Sequence, residues 1–191
     1  MDVEGRCALC RRGFDAAYCL GAYVGALRDV IHLFNYREAP TLAAPLGDLL
    51  AHALPRDQRL NCIAPPHWRR RWHRGFNQAE ALAPRLSPRA GVRVARALRR
   101  IRATETQAGL SDTRRRRNVA QAFRVRRGVV LEGKRILLVE DATTTGLTGA
   151  ACAAAWKRAG AAKVALLPLA RVDRRMDLWQ MRTAVAAAGD S

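Results

Sequence analysis

Between Ile136 and Thr148 the chain joins three kinds of residue in a fixed order. The apolar run Ile136-Leu-Leu-Val139 comes first and the adjacent carboxylates Glu140 and Asp141 follow. Ala142, Thr143, Thr144, Thr145, Gly146, Leu147 and Thr148 close the stretch. A threonine-rich run entering a helix offers backbone N–H groups, hydroxyls and the positive end of the helix dipole to a phosphate. Gly146 lets the backbone approach such a ligand closely. The two carboxylates cannot face that phosphate. They suit the hydroxyls of an attached sugar or a hard cation such as Mg²⁺. Acids at a strand end, or a Thr/Gly turn, are ordinary features taken singly. In this order they specify a sugar phosphate with its metal.

Two further clusters carry chemistry. Arg69, Arg70, Arg71 and Arg74 crowd one short loop with Trp68, Trp72, His67 and His73. Such a loop can hold a pyrophosphate through bidentate hydrogen bonds. It can also serve as a solvated basic loop or meet nucleic-acid phosphates, with the tryptophans as a stacking platform or as anchors. At the N-terminus, Cys7-Ala-Leu-Cys10 has zinc-knuckle spacing and Cys19 follows. A structural zinc site takes four protein ligands, and three thiolates leave the set incomplete. A zinc held by Cys7, Cys10 and Cys19 with a distant His32 or a carboxylate, a degenerate relic and a surface thiol pair all stay open. Cys62 and Cys152 lie among apolar residues and read as core.

The elements that must position these groups are legible from periodicity. Leu27, Val30, Ile31 and Phe34 fall on one helical face over 26–36, and Leu42, Leu46, Leu49, Leu50 and Leu54 make a second helix. Leu60–Ala64 reads as a short strand closed by Pro65-Pro66. A helix is expected over Phe76–Leu86, ending before Pro88, and a strand over Val92–Ala97. Residues 102–120 are polar and read as a mobile loop, and Phe123–Val130 has β character. Ile136–Val139 suits a central parallel strand buried on both faces. A helix over 149–159, Gly160 as its left-handed stop and a strand over Val164–Leu169 complete a right-handed βαβ unit. Ligands in such sheets bind at the C-terminal strand ends, where Glu140 and Asp141 fall. The tail from Asp173 is expected to form a short helix.

The 191 residues bound the fold to one main domain. Expected boundaries are an N-terminal cysteine segment over 1–22, an α/β domain over 23–172 and a tail over 173–191. No apolar run reaches membrane-spanning length. The acidic start Met1-Asp-Val-Glu-Gly lacks a signal-like apolar segment, so a cytoplasmic location is expected. Net charge is +18, and 31 of the 34 basic residues are arginine. Residues 1–65 are neutral overall, residues 66–135 carry +16 and residues 136–191 carry +2. The excess is thus confined to one stretch poor in acids. A polyanionic small molecule uses part of it, and the surplus leaves single-stranded DNA open as a partner.

The run Ile136–Thr148 resembles the phosphoribosyl pyrophosphate (PRPP) motif of type I phosphoribosyltransferases. Arg74-Gly-Phe-Asn-Gln78 narrows the resemblance to the ComF family, phosphoribosyltransferase-like proteins tied to natural transformation. Thr106-Gln107-Ala-Gly-Leu-Ser111, Arg117-Asn118-Val119, Ala122-Phe123, Gly25–His32 and Tyr36-Arg37 match in order, so the resemblance spans roughly residues 7–171. It implies a type I phosphoribosyltransferase-like fold, with a mainly parallel sheet flanked by helices and a degenerate zinc knuckle in front. It implies ribose contacts for Glu140 and Asp141, the 5′-phosphate for Thr143–Thr148, and Asp141 as the residue facing ring charge during displacement. It implies a PRPP-closing mobile loop that includes Thr106, Gln107, Arg117 and Asn118, and Mg²⁺ as the metal. It also implies a link to DNA uptake, with a ComFA-type helicase as a partner. The other reading is a non-catalytic module on the same fold that binds single-stranded DNA or a competence protein. The chain departs from the family at Ala142, at Ala22 where a fourth cysteine is usual, and at Asn35 where a lysine is usual.

Overall fold

A computed structural model describes residues 13–36, 39–55, 60–64, 77–101 and 122–172. Residues 1–12 of the expected N-terminal segment 1–22, the tail 173–191, the arginine loop and the polar stretch 102–120 lie outside the described residues.

The centre is a parallel sheet. Its strands are β1 (Ala16–Ala17), β2 (Gly21–Ala22), β3 (Cys62–Ala64), β4 (Arg93–Val94), β7 (Arg135–Thr143) and β8 (Lys163–Arg171). The order is β1-β8-β7-β3-β4, with β2 also beside β8, and every pairing is parallel. β5 (Leu98–Arg100) and β6 (Phe123–Val125) form a separate antiparallel ribbon. Helices α1 (Gly25–Tyr36), α2 (Ala43–Ala53), α3 (Gln78–Ala90) and α4 (Leu147–Arg158), with a 3-10 turn over Pro40–Leu42, complete the described elements. This is the α/β class the sequence predicts.

Alternation along β7 divides the core in two. Ile136 and Leu138 pack with Phe14, the β5–β6 ribbon and the Ala-rich face of α4, including the fully buried Trp156. Leu137 and Val139 pack on the other face with Ile31 and Phe34 of α1, Leu46 and Leu50 of α2, and Leu82 and Leu86 of α3. Gly47 lets α2 approach α3 closely at Arg85.

Several boundaries differ from the sequence expectation. α3 runs through Pro84 and Pro88 instead of ending at Leu86. Both prolines lie on its exposed side, where backbone carbonyls left without an N–H partner can meet water. Asn77 caps its start by accepting a hydrogen bond from the Glu80 N–H, and Gly91 stops it at φ 64°. The strand expected over Val92–Ala97 divides: Arg93–Val94 joins β3, and Leu98–Arg100 turns away to pair with β6. β7 continues four residues past the apolar run, so Glu140, Asp141 and Thr143 belong to the strand itself.

β8 carries Pro168 in its middle, an unusual residue for a buried strand. Its neighbour accommodates it. β1 pairs with Ala165 and Leu166, β2 pairs with Ala170 and Arg171, and the break between them lies opposite Pro168. A residue without an N–H cannot continue the ladder, and the N-terminal strand is split there in two.

Candidate functional site

Side chains alternate along β7, so its C-terminal end projects Glu140 and Asp141 in different directions. Glu140 shares a face with Leu138 and lies beneath the first turn of α4. It is only 8% exposed. A Cβ added at Gly149 would stand 3.0 Å from its Oε1, 3.0 Å from Phe14 Cζ and 3.1 Å from Leu138 Cδ2. The absent side chain at 149 is what lets the helix seat on the carboxyl. Asp141, the next residue, falls on the opposite face by alternation and is half-buried.

Electrostatics follow from that burial. Desolvation first and the neighbouring charge of Asp141 second, partly offset by a hydrogen bond from the Thr143 hydroxyl, together push the Glu140 carboxyl up to about 8. Near neutral pH the protonated form of Glu140 prevails. Thr143 is itself 3% exposed, so its hydroxyl is engaged inside. Thr144 is exposed, and Thr145 and Thr148 are half-buried.

Gly146 makes the turn into α4 at φ 66°, a left-handed conformation that favours glycine. No side chain caps this helix, and its first intrahelical bond runs from the Ala150 N–H to the Gly146 carbonyl at 2.8 Å. The amides of the first turn are therefore left to another acceptor. The run from Asp141 to Thr148 thus brings a half-buried carboxylate, an exposed hydroxyl and uncapped amides to one strand end.

The other predicted site residues divide by where they fall. Arg69, Arg70, Arg71 and Arg74 lie outside the described residues, but β3 ends at Ala64 beside Leu138. Thr106, Gln107, Arg117 and Asn118, and the cysteines Cys7 and Cys10, also lie outside the described residues. Cys19 is an exposed free thiol in the gap opposite Pro168. Among the described residues no group of three His, Cys, Asp or Glu side chains is gathered for a metal. No helix among them is long and apolar enough to cross a membrane.

Residues the sequence reading passed over also shape the site. Gly149 is one, and its signal was the glycine repeated three residues after Gly146. Phe14 is another, brought to Gly149 from a distant part of the chain. On the β5–β6 ribbon, Arg99 stands directly opposite Arg124, and both are exposed. Like charges in a cross-strand pair oppose ribbon formation.

No family model matches the chain. It is 34% identical over 176 residues to the DNA utilization protein YhgH of Escherichia coli O6:H1, covering 87% of this chain and 77% of that one. It is 33% identical to the Salmonella typhi protein of the same name, with the same coverage. It is 29% identical over 157 residues to competence protein F of Haemophilus influenzae, covering 75% of this chain and 67% of that one. Among solved structures it is similar to glutamine PRPP amidotransferase from B. subtilis, at 22% identity and TM-score 0.47. That match covers 68% of this chain, which spans about a quarter (26%) of the amidotransferase. It is also similar to adenine phosphoribosyltransferase from Thermoanaerobacter pseudethanolicus, at 19% identity and TM-score 0.46, over 71% of this chain and 83% of that one.

Proposed function

The chain belongs to the family of DNA utilization protein YhgH and competence protein F, and on that premise we propose that it binds PRPP with Mg²⁺ at the C-terminal end of β7. One observation carries this reading. A strand buried on both faces ends in a half-buried carboxylate, Asp141, and leads through a Thr/Gly turn into a helix with no side-chain cap. A 5′-phosphate is matched by the amides of that helix start and by the hydroxyls of Thr144, Thr145 and Thr148. The ribose hydroxyls are matched by Asp141, a strong acceptor when ionised. Arg69, Arg70, Arg71 and Arg74, which follow β3 in the sequence, are assigned to the pyrophosphate by their chemistry.

Mg²⁺ fits this donor set as a passenger of the ligand. The ion favours phosphate oxygens and its own waters over an all-protein cage, and no such cage is gathered among the described residues. Bound there, it would neutralise charge on the pyrophosphate. The chain's own residues then hold the sugar phosphate in place and present its anomeric carbon to an incoming nucleophile. Such a displacement needs no protein nucleophile; positioning and charge compensation suffice. Asp141, beside the ribose, compensates the positive charge that grows on the ring. Calorimetry of the full chain with PRPP and Mg²⁺ tests the reading: saturable binding supports it, and the absence of binding heat at millimolar ligand overturns it.

A second reading is favoured by charge. The segment 66–135 carries +16, and Arg99 and Arg124 are exposed cross-strand partners in its described part. Contact with single-stranded DNA, directly or alongside a competence partner such as a helicase, would use that surplus. Such binding weakens steeply with salt. An affinity for single strands unchanged between low and high salt would exclude the basic segment as the surface. The two readings are compatible.

A further inference from the structure

The two carboxylates at the end of β7 are neighbours in sequence and differ in every physical respect. Asp141 is half-buried on one face of the strand. Glu140 is 8% exposed on the other, enclosed by Leu138, Phe14 and the bare backbone of Gly149. Covered by the first turn of α4, that carboxyl offers a ribose little surface. The same enclosure gives Glu140 a different set of partners. Its Oε1 lies where a side chain at 149 would be, and the Thr143 hydroxyl bonds to it from the start of the threonine run. Glu140 therefore touches both ends of the turn that links β7 to α4.

We propose that Glu140 is a positioning residue that fixes the Thr143–Gly149 turn from beneath, leaving Asp141 as the one carboxylate of the pair that meets the sugar. This rests on the PRPP reading of the site and assigns unequal work within it. The Glu140 carboxyl is shape and hydrogen bond rather than charge, in keeping with its protonation near neutral pH. A glutamine has nearly the same shape, keeps a carbonyl acceptor for Thr143 and carries no charge. It should replace Glu140 without loss. At Asp141, where the charge itself accepts sugar hydroxyls, the matching amide should fail.

The test is titration of the full chain with PRPP and Mg²⁺, comparing the wild type with Glu140→Gln, Glu140→Ala, Thr143→Val and Asp141→Asn. The expected pattern is binding by Glu140→Gln within about threefold of wild type, and losses of roughly tenfold or more for Asp141→Asn and Glu140→Ala. Thr143→Val should weaken binding to an intermediate extent. A loss in Glu140→Gln as large as that in Asp141→Asn would overturn the proposal, since it would make the charge at 140 a ligand contact. If Glu140→Ala fails to fold, Glu140→Gln and Thr143→Val carry the comparison. If the wild type binds no PRPP, the functional reading falls, and amide hydrogen exchange over residues 144–149 decides the positioning claim. Exchange faster in Thr143→Val and Glu140→Ala but unchanged in Glu140→Gln supports it. Equal exchange in all four proteins overturns it.

Discussion

Gly149 at the start of α4 stands against Glu140 at the end of β7: a Cβ at 149 would lie 3.0 Å from the carboxyl oxygen at 140. That spacing is tighter than most side-chain contacts, and Phe14 and Leu138 close the other directions. Gly149→Ala must therefore displace either the helix start or the carboxyl. The expected cost is about 1–3 kcal/mol, as for other overpacked positions. Urea denaturation would read it as a lower midpoint at unchanged slope. An unaltered midpoint would mean that the turn gives way freely.

Burial of Glu140 links stability to pH. Its folded carboxyl titrates at about 8, against an ordinary value of 4.5. The folded state then holds a proton that the unfolded state releases in that interval. The contribution is fully present below about pH 4.5, declines as pH rises and is lost by about pH 8. The fall is on the order of a few kcal/mol. Thermal melts across this range should show a downward trend that Glu140→Gln flattens. The same slope in both proteins would place the trend elsewhere.

Asp141→Asn keeps the shape of the side chain and removes its charge. Binding of PRPP with Mg²⁺ is expected to weaken by about 1.5–3 kcal/mol, the scale of a charge-assisted hydrogen bond. The fold should be retained, because Asp141 is half-buried and lies outside both core clusters. Calorimetry paired with a melting curve separates the two effects.

Arg99 and Arg124 repel across the β5–β6 ribbon. Arg124→Glu converts the pair to opposite charges and should raise the melting temperature modestly at low salt. The gain should shrink near 1 M salt, where the screening length falls to about 3 Å. A gain independent of salt would point to strand propensity instead.

Asp15 ties the N-terminal segment to the sheet. Its Oδ2 accepts from the Val164 N–H at 2.7 Å and pairs with Lys157 Nζ at 3.0 Å. Both side chains are about one-third exposed, so the ion pair contributes little and the hydrogen bond more. Asp15→Ala should cost about 1 kcal/mol in denaturation, and Asp15→Asn less.

Much of the fold was legible because it is written in short-range pattern. The run Ile136–Val139 announced a strand covered on both faces, and β7 contains it. The spacing of Leu27, Val30, Ile31 and Phe34 announced α1, with Ile31 and Phe34 fully buried as the spacing requires. Gly160 stands just past α4 at φ 90°. Pattern misled at α3, because the local cost of a proline inside a helix is offset here by burial of Ala79, Leu82, Ala83 and Leu86 on the other face. Pro84 and Pro88 face solvent, a fact of packing that the residue names do not carry.

The sequence by itself determined that a strand, an acidic pair, a threonine–glycine turn and a helix follow one another, because each is set by residues within a few positions. Only the tertiary structure decided that the pair is unequal. Glu140 is buried because Phe14 and Gly149 close over it, and neither neighbours it in the chain. Burial in turn sets its charge, since ionisation away from water is costly. Two carboxylates that read alike in the sequence therefore become a buried carboxyl that favours its protonated form and a half-buried neighbour.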